Sequence, residues 1–479
     1  MKKTIKLAVV AAMALGTTSA FATNGDVMIG QGAKSRSMGG VGIAKSFGAE
    51  SALANPAMIT SVKNMEVTVG ATAFMPKVSF GSNAQANAGL AFSPTGATSA
   101  PINSADSASD FSVIPEIYFA QRINESFTYG IAVAGTAGMG TDYSGTDFGK
   151  PTDNGSFQMK TALQLLKVAI PVSYEIAGVT LGVAPVLQYG TLKIGHQQQT
   201  GYALMDPSKP HGPQNPKVPT FESYESDTGS DTGLGYEIGA AYDFKNAGVE
   251  GLTIGAVYKS KIIMEYKDTL TKSMKAFQVS SITTGDKLTQ PAEIGFGISY
   301  DVMNSGNTIA FDYKNIGWGD AAGYKDFGWE NQNVFALGYE YSAKTWALRA
   351  GYNYAKNPIK ELDGSKGSLG ANGIANYDNA AINFFNMAGF PGIVEQHFTL
   401  GGGYEFTEMF SLDGAFIYAP EVSASYDTSA MTEAFVAGGA GANGQGQAAT
   451  GVLVNGAKES TADVTHSQMA VTIAATFKF

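Results

Sequence analysis

Residues 233–244 read GLGYEIGAAYDF, and this stretch sets the pattern for most of the chain. Every second position from Leu234 to Phe244 carries an apolar or aromatic side chain, whereas small or polar residues such as Glu237 lie between them. Successive side chains of a β-strand point to opposite faces, so this alternation predicts a strand with one apolar and one polar face. The same alternation recurs in residues 346–354.

Counting the segments with this alternation gives about fourteen strands. They lie near residues 64–74, 111–122, 127–135, 160–176, 179–189, 233–244, 252–262, 291–301, 307–317, 334–341, 346–354, 395–406, 410–418 and 466–479. Short connections, such as 123–126 and 177–178, alternate with long ones, such as 191–232 and 355–394. Short turns at one end and long loops at the other are typical of a transmembrane β-barrel with an even number of strands.

The sequence therefore predicts an all-β fold, a transmembrane antiparallel β-barrel of about 14 strands with both termini at the short-turn, periplasmic end. In lipid every backbone polar group needs a partner, so the sheet must close on itself. Apolar side chains would then face lipid, and small or polar ones would face the lumen. The predicted location is the outer membrane of a Gram-negative bacterium, which the chain would cross many times.

The composition excludes several other classes of protein. Charged residues make up 15% of the 479 residues, below the roughly 25% of a typical soluble domain. The chain is too rich in apolar and aromatic residues for intrinsic disorder, and without cysteine it cannot be a disulfide scaffold. Its only sizeable apolar run is N-terminal and too short to span a bilayer, which excludes a bundle of transmembrane helices. A net charge of -10 argues against nucleic acid as a partner.

Residues 1–22 are predicted to be a signal peptide. Three lysines lie within the first six residues, residues 7–15 are apolar but too short to span a bilayer, and residues 20–22 read AFA. A basic start, an apolar middle and an A-x-A site form the pattern of a secretory signal peptide. We expect cleavage after residue 22, so that the mature chain begins at Thr23. An uncleaved N-terminal anchor is the less favoured alternative.

Residues 23–63 precede the first strand and do not show its alternation. They include many apolar residues, among them Met28, Ile29 and Leu53, which need burial. The only apolar space near the start of a barrel is its lumen. We therefore expect residues 23–63 to form a plug, or hatch, inside the barrel, and residues 64–479 to form the transmembrane β-barrel itself.

Several short motifs resemble those of the FadL/TodX family of outer-membrane channels. They are Met38-Gly39-Gly40, Ala52, Asn55-Pro56-Ala57, Gln290-Pro291-Ala292, Phe311-Asp312-Tyr313 with Trp318, Gly351-Tyr352-Asn353-Tyr354, Asn357-Pro358-Ile359 and the stretch from Phe390-Pro391 to Phe406. The resemblance spans essentially the whole mature chain and includes the C-terminal Phe479. It implies a fourteen-stranded barrel, plugged by an N-terminal hatch, that transports long-chain fatty acids or aromatic hydrocarbons.

The first candidate site is the hatch motif Asn55, Pro56 and Ala57. Proline fixes its own φ and removes a hydrogen-bond donor, and asparagine tolerates turn conformations. On sequence alone these residues could form an ordinary turn before the first strand. The resemblance implies instead a motif of the hatch that lies near the periplasmic exit.

The second candidate site is the end of the third strand, where Ala134, Gly135, Thr136 and Gly138 follow one another closely. Glycine within a strand marks a bulge, a kink or a close approach, although the strand could also simply end here before its loop. The resemblance implies an inward kink that opens the barrel wall laterally, so that a ligand leaves into the membrane.

The long outer loops contain apolar residues that water-facing loops do not need. These candidates for ligand binding are Leu270, Met274 and Phe277 in loop 263–290, and Phe384, Phe385 and Phe390 in loop 355–394. Exposed apolar clusters suggest ligand contact, although loops that fold over the barrel mouth would bury the same side chains. Lys272 and Lys275 could hold a carboxylate, although a solvated charge run explains them more simply.

The sequence thus predicts a passive channel for small hydrophobic molecules, with release by hatch movement and lateral exit. The alternatives are a general diffusion porin, which would need an open polar lumen, and a membrane-embedded enzyme. The four histidines show no metal-ligand spacing, and no nucleophile–base pair is evident, so we expect no catalysis, metal or cofactor. The expected partners are the hydrophobic ligand, outer-membrane lipid and lipopolysaccharide, and the barrel assembly machinery, for which Phe479 is the expected C-terminal signal.

Overall fold

The computed structural model describes residues 24–82, 104–144, 159–204, 208–209, 217–276, 279–303, 305–365, 368–369, 375–430 and 460–479. Its main element is a sheet whose wall has fourteen strands, as the alternation predicts. They are β1 (Met65–Ser82), β2 (Ser112–Arg122), β3 (Phe127–Met139), β4 (Lys160–Ala169 and Val172–Ile176), β5 (Val179–Leu204), β6 (Gly229–Asp243), β7 (Leu252–Lys259), β8 (Glu293–Val302), β9 (Asn307–Ile316), β10 (Gln332–Ser342), β11 (Trp346–Ala355), β12 (Gln396–Thr407), β13 (Phe410–Asp427) and β14 (Thr461–Lys478).

The sheet closes because β1 is paired along both of its edges. Val69 lies opposite Ala475 of β14 and opposite Ile117 of β2, and both pairings are antiparallel. At the chain end, the amide N of Phe479 donates to the carbonyl O of Met65 at 2.9 Å. A closed sheet leaves no open edge, as lipid requires. The prediction of an all-β, antiparallel transmembrane barrel of 14 strands is therefore confirmed.

The two faces of the wall differ as the alternation predicts. In β6, Leu234, Tyr236 and Ile238 are exposed on the outside of the barrel, whereas Glu237 and Ala241 are buried on the inside. The same order repeats in the other strands, because a period of two places every second side chain on the same face. The apolar face therefore suits lipid, and the small and polar face surrounds the interior.

Strand β5 is longer than the sequence predicts. The alternation ends near residue 189 and predicts a loop at 191–232, but β5 continues to Leu204 and a further strand, Lys217–Glu225, pairs with its outer half. Beyond the bilayer the outward face of a strand does not need to be apolar, so a hairpin there need not carry the outward apolar pattern of period two. For the same reason β1, β13 and β14 run several residues past their predicted outer ends.

Residues 24–63 pack against the inner face of the wall. They contain helix α1 (Gly32–Ser37) and two 3-10 helices, Gly48–Leu53 and Pro56–Ser61. A Cβ at Gly351 of β11 would lie 2.1 Å from the amide N of Gly39, and one at Gly255 of β7 would lie 2.3 Å from the carbonyl O of Ile43. Inward-facing glycines thus let this segment approach the backbone of well-separated strands.

The two ends of the barrel differ in their connections. The turn between β4 and β5 is only Ala177-Gly178, with φ of 51° and 84°, the left-handed conformation that a two-residue hairpin turn requires. The opposite end carries helices α2 (Leu270–Ala276) and α3 (Asp378–Gly389) and the 3-10 turns Trp318–Asp320 and Tyr324–Phe327. Among the described residues, none of the helices has the length and apolar character to cross a membrane.

Candidate functional site

The seam between β2 and β3 is incomplete. Among the described residues, the pairing of these strands reaches Glu116 opposite Ala134 and stops there, although β3 continues to Met139. The next residue of β2 in the same register is Pro115, which has no N–H to donate. The wall therefore loses its regular ladder of hydrogen bonds at this place.

The predicted lateral-opening residues lie at this interruption. On its other edge β3 pairs with β4, and the register shifts between Gly135 and Ala137. A Cβ at Gly135 would lie 2.6 Å from Cγ2 of Ile114, so glycine allows β2 to pack closely here. Ala134 and Thr136 are buried. Sequence reasoning missed the contribution of Pro115 in β2, although a proline inside a predicted strand was a signal available for it.

The free edge of β3 is occupied by residues 24–31, which we call the tip. Val27 of the tip forms an antiparallel bridge with Ala137 of β3. The flanking hydrogen bonds run from the amide N of Met28 to the carbonyl O of Thr136, 3.1 Å, and from the amide N of Gly138 to the carbonyl O of Asp26, 3.0 Å. The tip therefore supplies backbone partners to β3 where β2 does not.

Asp26 also holds the tip through its side chain. Its Oδ2 accepts a hydrogen bond from the hydroxyl of Tyr324, and its Oδ1 accepts one from Nε2 of Gln290 at 3.2 Å. The side chain is fully buried. Burial raises the pKa of the Asp26 carboxyl to about 6, although the two hydrogen bonds and the charge of Lys167 act in the opposite direction.

The tip turns at Gly25, whose φ is 68°. A Cβ at Gly25 would lie 2.7 Å from the ring of Trp318 and 2.9 Å from the ring of Trp329. The two tryptophan rings pack edge to face, with their centroids 5.0 Å apart. Only glycine fits between them in this left-handed conformation, so the turn of the tip closes against an aromatic wall.

A small apolar pocket lies beside the tip. It is lined by Met139, Leu163, Leu270, Leu288, Tyr324, Phe327, Trp329, Asn386 and Phe390. The lining joins the end of β3 to β4, to α2 and α3 and to the outer connections between strands. Seven of the nine side chains are hydrocarbon or thioether groups or aromatic rings without a hydroxyl, so the pocket suits an apolar molecule.

The predicted ligand-binding residues differ in how close they lie to this pocket. Leu270 and Phe390 line it directly. Phe385 stacks on Phe327 at a centroid distance of 5.2 Å, and Phe384 packs against Phe80 of β1 at the same distance. Met274 is buried in α2, and Phe277 lies outside the described residues. Two of the six predicted residues therefore line the pocket, and Phe385 packs directly behind its lining residue Phe327.

A second, more polar cavity has Gln290, the amide partner of Asp26, in its lining. Its lining is Val27, Gln31, Leu53, Thr136, Ala137, Lys167, Glu237, Lys259, Gln290, Pro291, Glu293 and Ile316. Lys259 Nζ lies 3.2 Å from Glu293 Oε1, whereas Lys167 Nζ lies 4.0 Å from Glu237 Oε1. The cavity reaches the β3 interruption and the tip, and it places two lysines and two glutamates in the barrel interior.

Asn55, Pro56 and Ala57 form a capped turn against the wall. Asn55 Oδ1 accepts from the amide N of Ala57 at 3.0 Å, and its Nδ2 donates to the carbonyl O of Ile43 at 2.7 Å. A Cβ at Gly239 of β6 would lie 1.8 Å from Asn55 Oδ1, so the wall makes room for this side chain. The hydroxyl of Ser173 in β4 donates to the carbonyl of Pro56. The motif is thus both a helix cap and an anchor to the wall.

Buried ion pairs hold residues 32–61, which we call the base. Arg36 Nη1 lies 2.8 Å from Glu116 Oε2 of β2, and both side chains are fully buried. Lys34 Nζ lies 3.7 Å from Asp413 Oδ2 of β13. Removing one partner from such a pair leaves an uncompensated buried charge, at a cost of about 3–5 kcal/mol. Sequence reasoning missed these pairs, because their members are far apart along the chain.

The closed fourteen-stranded barrel, apolar outside and carrying both cavities inside, defines an outer-membrane β-barrel protein. Residues 8–365 match the family described as outer membrane protein transport protein (OMPP1/FadL/TodX). The chain belongs to this family, as its motifs suggest. The family is one of transport proteins rather than of enzymes. Among curated relatives, outer membrane protein P1 of Haemophilus influenzae is 23% identical over 403 residues, which cover 79% of this chain and 83% of that protein.

Solved structures share the fold at low sequence identity. A FadL homologue of Pseudomonas aeruginosa aligns with a TM-score of 0.62 and 14% identity over 95% of this chain and 100% of that one. The toluene transporter TodX of Pseudomonas putida aligns with a TM-score of 0.61 and 16% identity over 95% and 100%. The monoaromatic hydrocarbon channel CymD gives 0.53 and 16% over 94% and 98%. These similarities establish the architecture of the barrel.

Proposed function

We propose that this protein is a passive outer-membrane channel for small hydrophobic molecules, either long-chain fatty acids or aromatic hydrocarbons. The observation that carries the proposal is the apolar pocket beside the tip, with Leu270, Phe327, Trp329 and Phe390 in its lining. Family membership and the names of two structural neighbours, a toluene transporter and a monoaromatic hydrocarbon channel, support the same substrate class. The mature chain would act in a Gram-negative outer membrane after loss of its signal peptide.

Binding in the pocket would draw on the hydrophobic effect. Each methylene group moved from water to an apolar lining contributes about 0.8 kcal/mol, so a short alkyl chain or an aromatic ring gains several kcal/mol. The same gain makes release into water unfavourable. A channel for such molecules therefore needs an exit that does not lead through water, and it needs no energy source if the ligand is consumed inside the cell.

The N-terminal segment would act as the hatch, and its two parts, the base and the tip, are held to the wall with unequal strength. The base is tied to the wall by buried charges, including the pair Arg36–Glu116. The tip is tied by a few backbone hydrogen bonds and by the side chain of Asp26. Its release would break far fewer strong interactions than release of the base. We therefore assign the movement to residues 24–31 and a static role to residues 32–61.

Release would be lateral, through the β2–β3 seam. Withdrawal of the tip would leave the edge of β3 at Thr136–Gly138 without a backbone partner, beside the pocket residue Met139. A ligand that moves through this gap enters the bilayer and avoids the cost of exposing each methylene to water, about 0.8 kcal/mol. Pro115 and Gly135 would keep the gap from being closed by ordinary strand pairing.

The two rival functions fit this interior less well. A general diffusion porin would need an open polar lumen, whereas residues 24–62 of this chain bury most of their side chains against the wall. A membrane-embedded enzyme would need a nucleophile with a positioned base or a metal centre. The matching family is described as one of outer-membrane transport proteins, which supports a channel over an enzyme.

The test is selective uptake by proteoliposomes. Vesicles carrying the purified protein should take up labelled dodecanoate or toluene faster than vesicles carrying an unrelated outer-membrane barrel, at equal protein content. A small sugar should enter no faster than into the control vesicles. Faster sugar entry without faster entry of dodecanoate or toluene would contradict the proposal and favour a general porin.

A further inference from the structure

Asp26 lies at the boundary between the two cavities. The ring of Tyr324 lines the apolar pocket, and its hydroxyl donates to Asp26 Oδ2. Gln290 lines the polar cavity, and its Nε2 donates to Asp26 Oδ1 at 3.2 Å. Asp26 is fully buried, and the two residues that donate to it, Tyr324 and Gln290, are almost fully buried. One carboxylate thus joins an apolar compartment to a polar one.

The groups around this carboxylate form an anion site. Tyr324 and Gln290 each present one hydrogen-bond donor, and the positive charge of Lys167 acts on the Asp26 carboxylate. Lys167 Nζ also lies 4.0 Å from Oε1 of Glu237, the outer limit of an ion pair, so its positive charge acts on both carboxylates. Two donors and a nearby cation are the surroundings that stabilise a carboxylate away from water.

The backbone of Asp26 couples this site to the wall. The side chain of Asp26 fills the anion site, and its backbone carbonyl O accepts a hydrogen bond from the amide N of Gly138, on the edge of β3 that the tip occupies. Asp26 therefore cannot leave its two side-chain donors by a large movement without disturbing the bridge between Val27 and Ala137. Occupation of the anion site and closure of the seam depend on one another.

Resting on the proposed function, we propose that Asp26 is a specificity-determining residue that occupies the place of a ligand carboxylate. A molecule with an alkyl chain and one carboxylate head places its chain in the apolar pocket and its head on Tyr324 and Gln290. The head displaces the Asp26 side chain, and the tip leaves β3. A hydrocarbon has no group that can take over these donors, so it gains less from displacing Asp26. The channel therefore favours amphipathic monocarboxylates.

The test compares two ligands of equal chain length, dodecanoate and dodecan-1-ol, on protein held in lipid nanodiscs. In the Asp26→Ala variant the anion site has no internal competitor. We expect the affinity for dodecanoate to rise about tenfold, because a charged acceptor makes the stronger hydrogen bonds, and the affinity for dodecan-1-ol to change much less. Adding Tyr324→Phe to this variant should remove most of the gain in affinity for dodecanoate and should leave the affinity for dodecan-1-ol nearly unchanged.

The control is Asp312→Asn. Asp312 is also a buried carboxylate that accepts hydrogen bonds from the N-terminal segment, at the amide N atoms of Gly42 and Ile43, but it does not contact Tyr324 or Gln290. The Asp312→Asn variant should therefore leave the ratio of the affinities for dodecanoate and dodecan-1-ol unchanged. Heat-modifiable migration in gels checks that each variant retains its folded barrel. If Asp26→Ala does not fold, Asp26→Asn replaces it as the milder substitution.

The outcomes separate this inference from the proposed function. Equal gains for dodecanoate and dodecan-1-ol in Asp26→Ala would mean that the variant only loosens the tip, and would overturn the role of Asp26 while leaving a hydrophobic channel in place. Unchanged affinity for dodecanoate would overturn it too. If neither ligand binds the wild-type protein or any variant, the proposed function fails, and the inference fails with it.

Discussion

Val27 and Ala137 face each other as partners of an antiparallel β-bridge, although 110 positions separate them in the chain. Their bridge is flanked by the hydrogen bonds of Met28 and Gly138, so they form a non-hydrogen-bonded pair, the kind in which Cα atoms approach most closely. The N-terminal tip thereby acts as a short extra strand at the point where β2 leaves β3 unpaired. The seam is closed by a segment that is held by a few backbone hydrogen bonds and by the side chain of Asp26.

Restoring a donor to β2 should narrow the seam. In the Pro115→Val variant the new N–H can extend the ladder beyond Glu116, and one added backbone hydrogen bond is worth about 1 kcal/mol. We expect the uptake of a labelled hydrophobic ligand by proteoliposomes to fall about fivefold. Pro185→Val, a proline of β5 outside this seam, is the matched control and should leave uptake unchanged. Equal uptake by Pro115→Val and wild type would mean that the seam is not on the path.

Filling the apolar pocket should weaken ligand binding. Leu163 of β4 is buried and lines the pocket, so Leu163→Trp would occupy much of its space. We expect the affinity for dodecan-1-ol to fall at least about tenfold, since the excluded methylene groups contribute about 0.8 kcal/mol each. Leu400→Trp adds the same side chain on the outer face of β12, where Leu400 is exposed, and should not change the affinity. A ligand that binds both variants equally well must bind elsewhere.

Docking of the tip should depend on pH through Asp26. The docked carboxyl has a pKa near 6, raised by burial from its ordinary value of 3.8, so the docked state holds a proton more tightly than the released state. Docking is therefore strongest below pH 3.8 and weakens as the pH rises through 6, by a total of about 3 kcal/mol. Tyr324 keeps its proton over this range, because burial and the neighbouring Asp26 raise the pKa of its hydroxyl well above its ordinary value.

Tryptophan emission reports this change, because Gly25 of the tip packs against Trp318 and Trp329. The third tryptophan, Trp346, lies on the outer face of the barrel and is removed as Trp346→Phe. We expect the emission to shift to longer wavelength as the pH rises from 5 to 7.5, with a midpoint near 6. The shift should be absent in Asp26→Asn. A shift that persists in that variant would assign the titration to another group.

Breaking a buried ion pair should release the base. Arg36→Ala leaves the carboxylate of Glu116 buried without its charge partner, which costs about 3–5 kcal/mol. We expect higher ion conductance in planar bilayers, because the base then fills the interior less firmly. Lys478→Ala breaks the exposed pair with Glu405, worth at most about 1 kcal/mol, and should leave the conductance unchanged. Equal conductance for Arg36→Ala and wild type would contradict a plugging role for the base.

The sequence predicts the wall well because lipid imposes a simple rule on it. Each strand within the bilayer must be apolar on one face, so residues such as Leu234 and Ile238 show the strand and its orientation directly. Outside the bilayer this constraint ends, and the outer half of β5 carries Thr191 and Lys193 on the outward face, while Leu192 and Ile194 are buried on the inner one. The prediction fails there for the same physical reason that it succeeds elsewhere.

The site could be predicted only in part. Gly135 and Gly138 mark the irregular end of β3 in the sequence, and Leu270 and Phe390 stand out as apolar residues in outer loops. The contacts of Asp26 give no such signal, because Gln290 and Tyr324 lie 264 and 298 positions away along the chain. A short polar residue in an apolar segment could belong to any turn. Only the closed barrel brings these groups together.

The most direct measurement locks the tip to β3. The natural chain has no cysteine, so Val27→Cys with Ala137→Cys introduces one possible disulfide across the bridge. Ile117→Cys with Val133→Cys, which joins β2 and β3 where they are already paired, is the control. We predict that the oxidised tip lock stops uptake of dodecanoate, that reduction restores it, and that the control transports in both states. Undiminished uptake by the oxidised, fully cross-linked tip lock would contradict the claim that the tip must leave β3.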